Sequence, residues 1–196
     1  MDADVASGLR SELEPIPTLR TSRLLLRPFA PLDAARVRLL AGAPEVASTT
    51  LKIPHPYEEG MAEAWIAGHG AAWTAREHLT LAITAGSEGL IGGVGLHLAL
   101  EHRRGELGYW IGVPYWNRGY ATEACVAVLA YGFDELGLHR VLARHVERNP
   151  ASGRVMRKLG MTHEGRMREH VLKWDRFETL EVYGILEGEW RAADES

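Results

Sequence analysis

Between Tyr115 and Leu136 the chain reads YWNRGYATEACVAVLAYGFDEL. Bulky aromatics give way to a short polar turn, Asn117-Arg118-Gly119, which runs straight into a long apolar stretch. From Ala121 to Leu136 apolar residues cover most of a helix circumference. The spacing predicts a helix packed on most sides and closed by Gly137. A helix start exposes backbone N–H groups without internal partners, and its dipole is positive at that end. Gly119 lets a ligand approach the backbone closely, and Arg118 adds a cation. The turn therefore reads as an anion site suited to phosphate or pyrophosphate; a tight β–α connection with one glycine is the alternative. It matches neither G-x-x-x-x-G-K-[ST] nor G-x-G-x-x-G, and GGVGLH from Gly92 falls in a run of strands.

On either side of this turn the pattern changes period. GELGYWIGV (Gly105–Val113) and HRVLARHV (His139–Val146) read as strands, so the unit spanning 105–146 is strand–helix–strand and should be parallel and right-handed. Asn149 suits an N-cap, Pro150 the first helical position and Gly160 the position after the end, which predicts a second helix over Asn149–Leu159. Two parallel strands ending at two helix starts make a cofactor cleft there, because ligands of open α/β sheets gather at the carboxyl ends of such strands. Upstream, TLRTSRLLLRPFA (Thr18–Ala30) reads as a strand, Asp33–Leu40 as a helix ending at Gly42, and Pro54–Glu77 as containing a helix with Met61, Trp65 and Ile66 facing inward. HLTLAIT (His78–Thr84), LIGGVGLHLAL (Leu90–Leu100) and RFETLEVYGIL (Arg176–Leu186) are further strands, and 161–175 is a strand plus a loop. The expectation is one domain over 18–196 behind a loose arm over 1–17. Its fold class is mixed α/β: a mostly antiparallel sheet with one parallel pair and helices on both faces.

Composition narrows the function. The 196 residues are 46 % apolar and 24 % charged, as in an ordinary soluble globular chain. A net charge of −4 argues against a broad grip on nucleic acid. A single cysteine, Cys125, precludes an internal disulfide framework and reads as a core residue. No opening signal segment and no apolar run of about 18 residues is found, so the expected setting is the cytoplasm, away from membranes. The nine histidines form no metal-binding pattern, and His97 and His145 read as structural.

Five stretches, RLLLRPF, GELGYWIGVPYWNRGYATEA, RNPASGRVMRKLGM, HEGRMRE and LEVYGILEGEW, occur in order over nearly the whole chain. Together they resemble the GNAT superfamily of acetyl-CoA-dependent N-acetyltransferases, and within it the branch of the ribosomal-protein N-terminal acetyltransferases. The resemblance implies acetyl-CoA as co-substrate, with no metal, in a gap between two parallel strands that splay apart. It implies that the backbone of Ile111, Gly112 and Val113 pairs with the pantetheine arm, and that Asn117, Arg118, Gly119, Tyr120, Ala121 and Thr122 wrap the pyrophosphate. Asn149 would bind the pantetheine and Ser152 would sit near the thioester sulfur. The superfamily pattern Q/R-x-x-G-x-G/A has Trp116 in its first place, and Met156 stands where many members carry an acidic tyrosine. Ser152 is the substitute the branch suggests. Glu106, sharing a strand face with Gly108 and Trp110, is the first candidate for the base that deprotonates the amine, with Glu164 and Glu169 as further candidates. The acceptor is expected to be a primary amine: a protein N-terminus, or a small molecule such as an amino acid, polyamine or aminoglycoside. A non-catalytic acyl-CoA-binding module is the reading from another class. A homodimer is a further expectation from the branch.

Overall fold

The computed structural model describes residues 15–194, so the arm expected over 1–17 lies almost wholly outside the described residues. Two short strands come first, β1 (Leu19–Arg20) and β2 (Leu25–Arg27). A 3-10 turn at Pro31–Asp33 leads into α1 (Ala34–Ala41), and a single turn, α2, spans Pro44–Ala47. Then come α3 (Met61–Ala67), α4 (His69–Thr74) and three strands, β3 (His78–Ala85), β4 (Gly89–Ala99) and β5 (Arg104–Ile111). The long helix α5 (Tyr120–Asp134) crosses over to β6 (Arg140–Val146), and α6 (Pro150–Lys158) follows. A hairpin of β7 (Thr162–Lys173) and β8 (Arg176–Leu186) leads to α7 (Glu187–Asp194). All eight strands form one sheet in the order β1-β2-β3-β4-β5-β6-β8-β7. Every neighbouring pair is antiparallel except β5 and β6.

The expected mixed sheet with helices on both faces is thus observed. On one face, Cys125, Val128, Leu129 and Phe133 of α5 pack with Leu96, Leu107 and Val141 in the principal core. Fully burying a side chain such as Phe133 contributes roughly 1.5–3 kcal/mol. Gly132 lets the helix sit close, since a Cβ there would stand 3.1 Å from Leu96 and 3.2 Å from Leu138. Cys125 is fully buried, and desolvation pushes its thiol pKa up, as a core residue requires. On the other face a smaller core joins Val37 and Ala41 of α1 to Ala62 and Ile66 of α3.

The structure departs from the sequence reading in several places. The single strand expected over Thr18–Ala30 is two short strands, β1 and β2, paired antiparallel with each other, and the single turn α2 falls where no element was expected. The helix expected in Pro54–Glu77 is split into α3 and α4 at Gly68, and only Ile66 of its proposed inner face is buried. Met61 and Trp65 are 42 % and 38 % exposed and border a cleft, because the Ala62–Ile66 stripe one position on takes the core side. Residues 161–175 are one long bulged strand and the hairpin turn, paired along β8. The closing α7, for which no element was expected, packs Trp190 against Phe133 with ring centroids 5.9 Å apart.

Candidate active site

Strands β5 and β6 pair from Arg104↔Arg140 to Leu107↔Ala143 and then stop, although β5 runs on to Ile111 and β6 to Val146. The strands splay, and a cleft of about 1390 Å³ passes through the opening. Register against β4 decides which backbone groups face it. The Gly112 N–H donates to the Ile91 carbonyl at 2.9 Å, so the adjacent Ile111↔Gly92 pair is of the non-bonded kind. The N–H and C=O of Ile111, and by the same alternation those of Tyr109, therefore point away from β4 into the gap. The Ile111 carbonyl already accepts the Trp116 indole N–H at 2.6 Å, which leaves its N–H to the cleft. Of Ile111, Gly112 and Val113, the gap-facing residue is Ile111. The Gly112 carbonyl accepts from Tyr115 at 2.9 Å, and that of Val113 from Trp116 at 3.2 Å. A Cβ on Gly112 would come within 2.9 Å of a Leu40 methyl and 3.2 Å of its Cβ, so the glycine lets α1 pack close there.

At the mouth of the gap, Asn117 (φ +60°) and Gly119 (φ +80°) both take the left-handed conformation. Gly119 is the N-cap of α5, and Tyr120, Ala121 and Thr122 form its first turn. Asn117–Thr122 all line the cleft. The sequence reading missed what braces this turn. The Arg23 guanidinium donates to the Arg118 carbonyl at 3.0 Å, pairs with Glu123 at 2.6 Å and lies 4.8 Å over the Tyr120 ring. Glu123 also accepts from the Thr21 hydroxyl at 2.6 Å and the Arg23 N–H at 2.9 Å. Burial alone would raise its carboxyl pKa, but hydrogen bonds from Thr21 and Arg23 outweigh that and hold it below the usual range. A glutamate in the first turn of a buried helix was the available signal.

Asn149 caps α6, its Oδ1 accepting the Ser152 N–H at 3.3 Å. The Ser152 hydroxyl lies 2.7 Å from the Tyr109 hydroxyl, which also donates to the Ser152 carbonyl at 3.1 Å. Met156 is buried in the core. A phenol thus reaches the first turn of α6 after all, but from strand β5. Burial raises the Tyr109 pKa, reinforced by Cys125 and opposed by the Ser152 hydrogen bond, so the phenol keeps its proton.

Through the gap lies the other face of the sheet. Cross-strand register puts His78, His97 and Glu106 in one row. Glu106 lines the cleft, and Arg144 clamps it with hydrogen bonds of 2.9 and 2.8 Å. His97 Nδ1 lies 2.8 Å from His78 Nε2, one ring donating to the other. Burial lowers the His97 pKa to about 4, helped by the nearby His78 and Lys52 charges. Gly108 leaves open space, with nothing within 4 Å of a would-be Cβ. Glu164 pairs with Arg140, and the Glu169 N–H donates to Thr179 at 3.2 Å; neither residue lines the cleft. His145 is buried, with its Nδ1 2.9 Å from the Val146 carbonyl. The roof is built from residues 46–65. It is tied to the β7–β8 hairpin by Lys173 donating to the Ile53 carbonyl at 2.9 Å and by Arg148 bridging Glu178 and the Ser48 carbonyl. Among the described residues no group of three or more His, Cys, Asp or Glu is placed to hold a metal ion.

A cleft through a splayed parallel pair, with a cationic helix start at one end, fits a long phosphate-bearing thioester carrier. The comparisons agree with it. Residues 23–162, more than half of the chain, match the model of the acetyltransferase (GNAT) domain. An N-acetyltransferase of Bacillus subtilis, YoaA, is 31 % identical over 172 residues, covering 87 % of this chain and 97 % of that protein. The alanine N-acetyltransferase of ribosomal protein uS5 from Escherichia coli is 28 % identical over 85 residues, 43 % of this chain and 37 % of that one. Two other curated relatives match over little more than half of their own length, 59 % and 56 %. Among solved structures, a GNAT-family acetyltransferase from Bacillus anthracis has a TM-score of 0.78 at 27 % identity, covering 88 % of this chain and 99 % of that one. No helix among the described residues is long and apolar enough to cross a membrane. The chain belongs to the GNAT family and is an N-acetyltransferase.

Proposed function

We propose that this enzyme uses acetyl-CoA to acetylate a primary amine by direct attack, in the cleft between β5 and β6. The observation that carries the reading is the unpaired edge of β5, with the Ile111 N–H facing the gap and the left-handed turn Asn117–Gly119 at its mouth. The residues fit the carrier: N–H groups of Gly119, Tyr120, Ala121 and Thr122 with the Arg118 cation would hold the pyrophosphate. Arg154 and Lys158 of α6, which also line the cleft, would add charge for phosphate. The pantetheine arm would run along the unpaired edge of β5, and Asn149, whose Nδ2 is not used in capping, would donate to it. When bound, acetyl-CoA supplies an activated acyl group on a thiolate leaving group.

The chain's own residues do the rest. The Ile111 N–H is the donor aimed where negative charge develops on the carbonyl oxygen. The Tyr109–Ser152 hydroxyl pair, kept protonated by burial, donates a hydrogen bond to the departing sulfur. Glu106 takes a proton from the acceptor ammonium, directly or through water, and frees the neutral amine to attack, while Arg144 fixes the carboxylate's orientation. The acceptor reading carried by the relatives is the N-terminal amine of a protein, ribosomal proteins included. A small-molecule amine is the second reading. The tie of the roof to the β7–β8 hairpin, Lys173 donating to the Ile53 carbonyl, would limit the room for a polypeptide and favours it. Calorimetric titration with acetyl-CoA, with dephospho-CoA and ATP as comparisons, tests the proposal. Micromolar binding of acetyl-CoA is expected, and no binding to the folded protein would overturn it.

A further inference from the structure

The acceptor end has an unusual balance of charge. The whole chain carries −4, yet among the described residues lining the cleft Glu106 is the sole carboxylate. Its cations at the acceptor end are Lys52, Arg144 and Arg148. Glu106 is bound by Arg144, and the nearby Glu178 by Arg148 at 2.8 Å. Lys52 has no ion-pair partner among the described residues. Glu63 and Glu77 act on Tyr57 and His78 from outside the lining.

The walls are apolar and flat. Trp65 packs edge-on against Phe29, with centroids 4.9 Å apart, and against His69 at 4.4 Å. Trp110 lies over Gly93, where a Cβ would be 2.7 Å from the indole nitrogen. Leu51, Met61 and Trp65, all among the large apolar residues left exposed, line this same space. Both ring nitrogens of His69 are buried without a partner. The imidazoles report what this environment does to positive charge. Burial lowers the pKa of His69 and of His97 to about 4, and it lowers that of His78.

We infer that the acceptor is a monoamine borne on an apolar, flat body, and that polyamines and aminoglycosides are rejected. The inference rests on the acetyltransferase reading of this site and names its substrate class. One ammonium entering the cleft meets aromatic faces and the Glu106 carboxylate and is easily neutralised, which is what attack requires. A second ammonium finds no second carboxylate in the lining and meets Lys52 instead. The apolar body replaces water on Trp65, Met61 and Leu51.

The test is calorimetric titration of the full chain with 2-phenylethylamine, with 1,4-diaminobutane and with a short peptide beginning in phenylalanine, each with and without bound CoA. Acetyl-CoA binding, measured on the same sample, reports separately on the acetyltransferase reading. The expected result is at least tenfold tighter binding of 2-phenylethylamine than of the diamine. The peptide arm shows whether the apolar amine is free or at a chain end. Lys52→Glu should narrow the preference by raising diamine affinity, and Trp65→Ala should narrow it by weakening 2-phenylethylamine. Equal or tighter binding of the diamine overturns the inference. So does no binding of either apolar amine at millimolar concentration, or a preference that neither variant moves.

Discussion

At the scale of single residues, the chemistry turns on a few hydrogen bonds. Tyr109 and Ser152 share one 2.7 Å contact and so act as a unit. Ser152→Ala and Tyr109→Phe are each expected to slow turnover by about 10- to 100-fold, and the double variant little further. Acetyl-CoA affinity should stay within about twofold, because neither change touches the phosphate turn. Steady-state kinetics beside a calorimetric Kd would check this, and a double variant of normal kcat removes the pair from the mechanism. Glu106 is expected to behave differently. Glu106→Gln keeps the shape but removes the base, and should cost about 10²–10⁴-fold in kcat near neutral pH. A kcat that survives the change would leave Glu106 as a structural partner of Arg144 only.

At the scale of elements, the turn before α5 is the sensitive part. Gly119 sits at φ +80°, where a side chain clashes with its own backbone. Gly119→Val is expected to cost roughly 1–2 kcal/mol in stability and to abolish measurable acetyl-CoA binding. Circular dichroism separates the two effects. A folded Gly119→Val protein of normal acetyl-CoA affinity would sink the assignment of the turn to pyrophosphate. The same element shows what the sequence carries. The helix, its glycine start and its apolar circumference are written in consecutive residues, so their reading and the structure agree to within two residues. The Arg23–Glu123 brace joins positions one hundred residues apart, and local spacing holds no trace of it.

At the scale of the molecule, buried imidazoles tie stability to pH. His69 and His97 titrate at about 4 in the fold, against an ordinary value of 6.5. Between those values the unfolded chain binds protons that the folded one refuses. Their contribution is therefore complete above pH 6.5 and is lost as pH falls toward 4. Thermal unfolding followed from pH 7 to 5 should show a falling midpoint, and the fall should be shallower in a His69→Gln/His97→Gln variant. A variant as pH-sensitive as the parent would assign the dependence to other groups.

The sequence by itself determined the order of the strands from β3 to β8, the parallel unit around α5, the capping of α6 by Asn149 and the burial of Cys125. Each of these rests on periodicity or on residues next to one another, where backbone geometry is local. Only the tertiary structure decided that β5 and β6 part after Leu107, and that Ile111 rather than Gly112 faces the gap, because strand register is set by packing between distant segments. It alone brought Tyr109 to Ser152, bound Glu106 to Arg144, and turned Met61 and Trp65 from the core to the cleft wall. Those contacts join residues far apart in the chain, and a side chain's partner is fixed by where the folded backbone carries it.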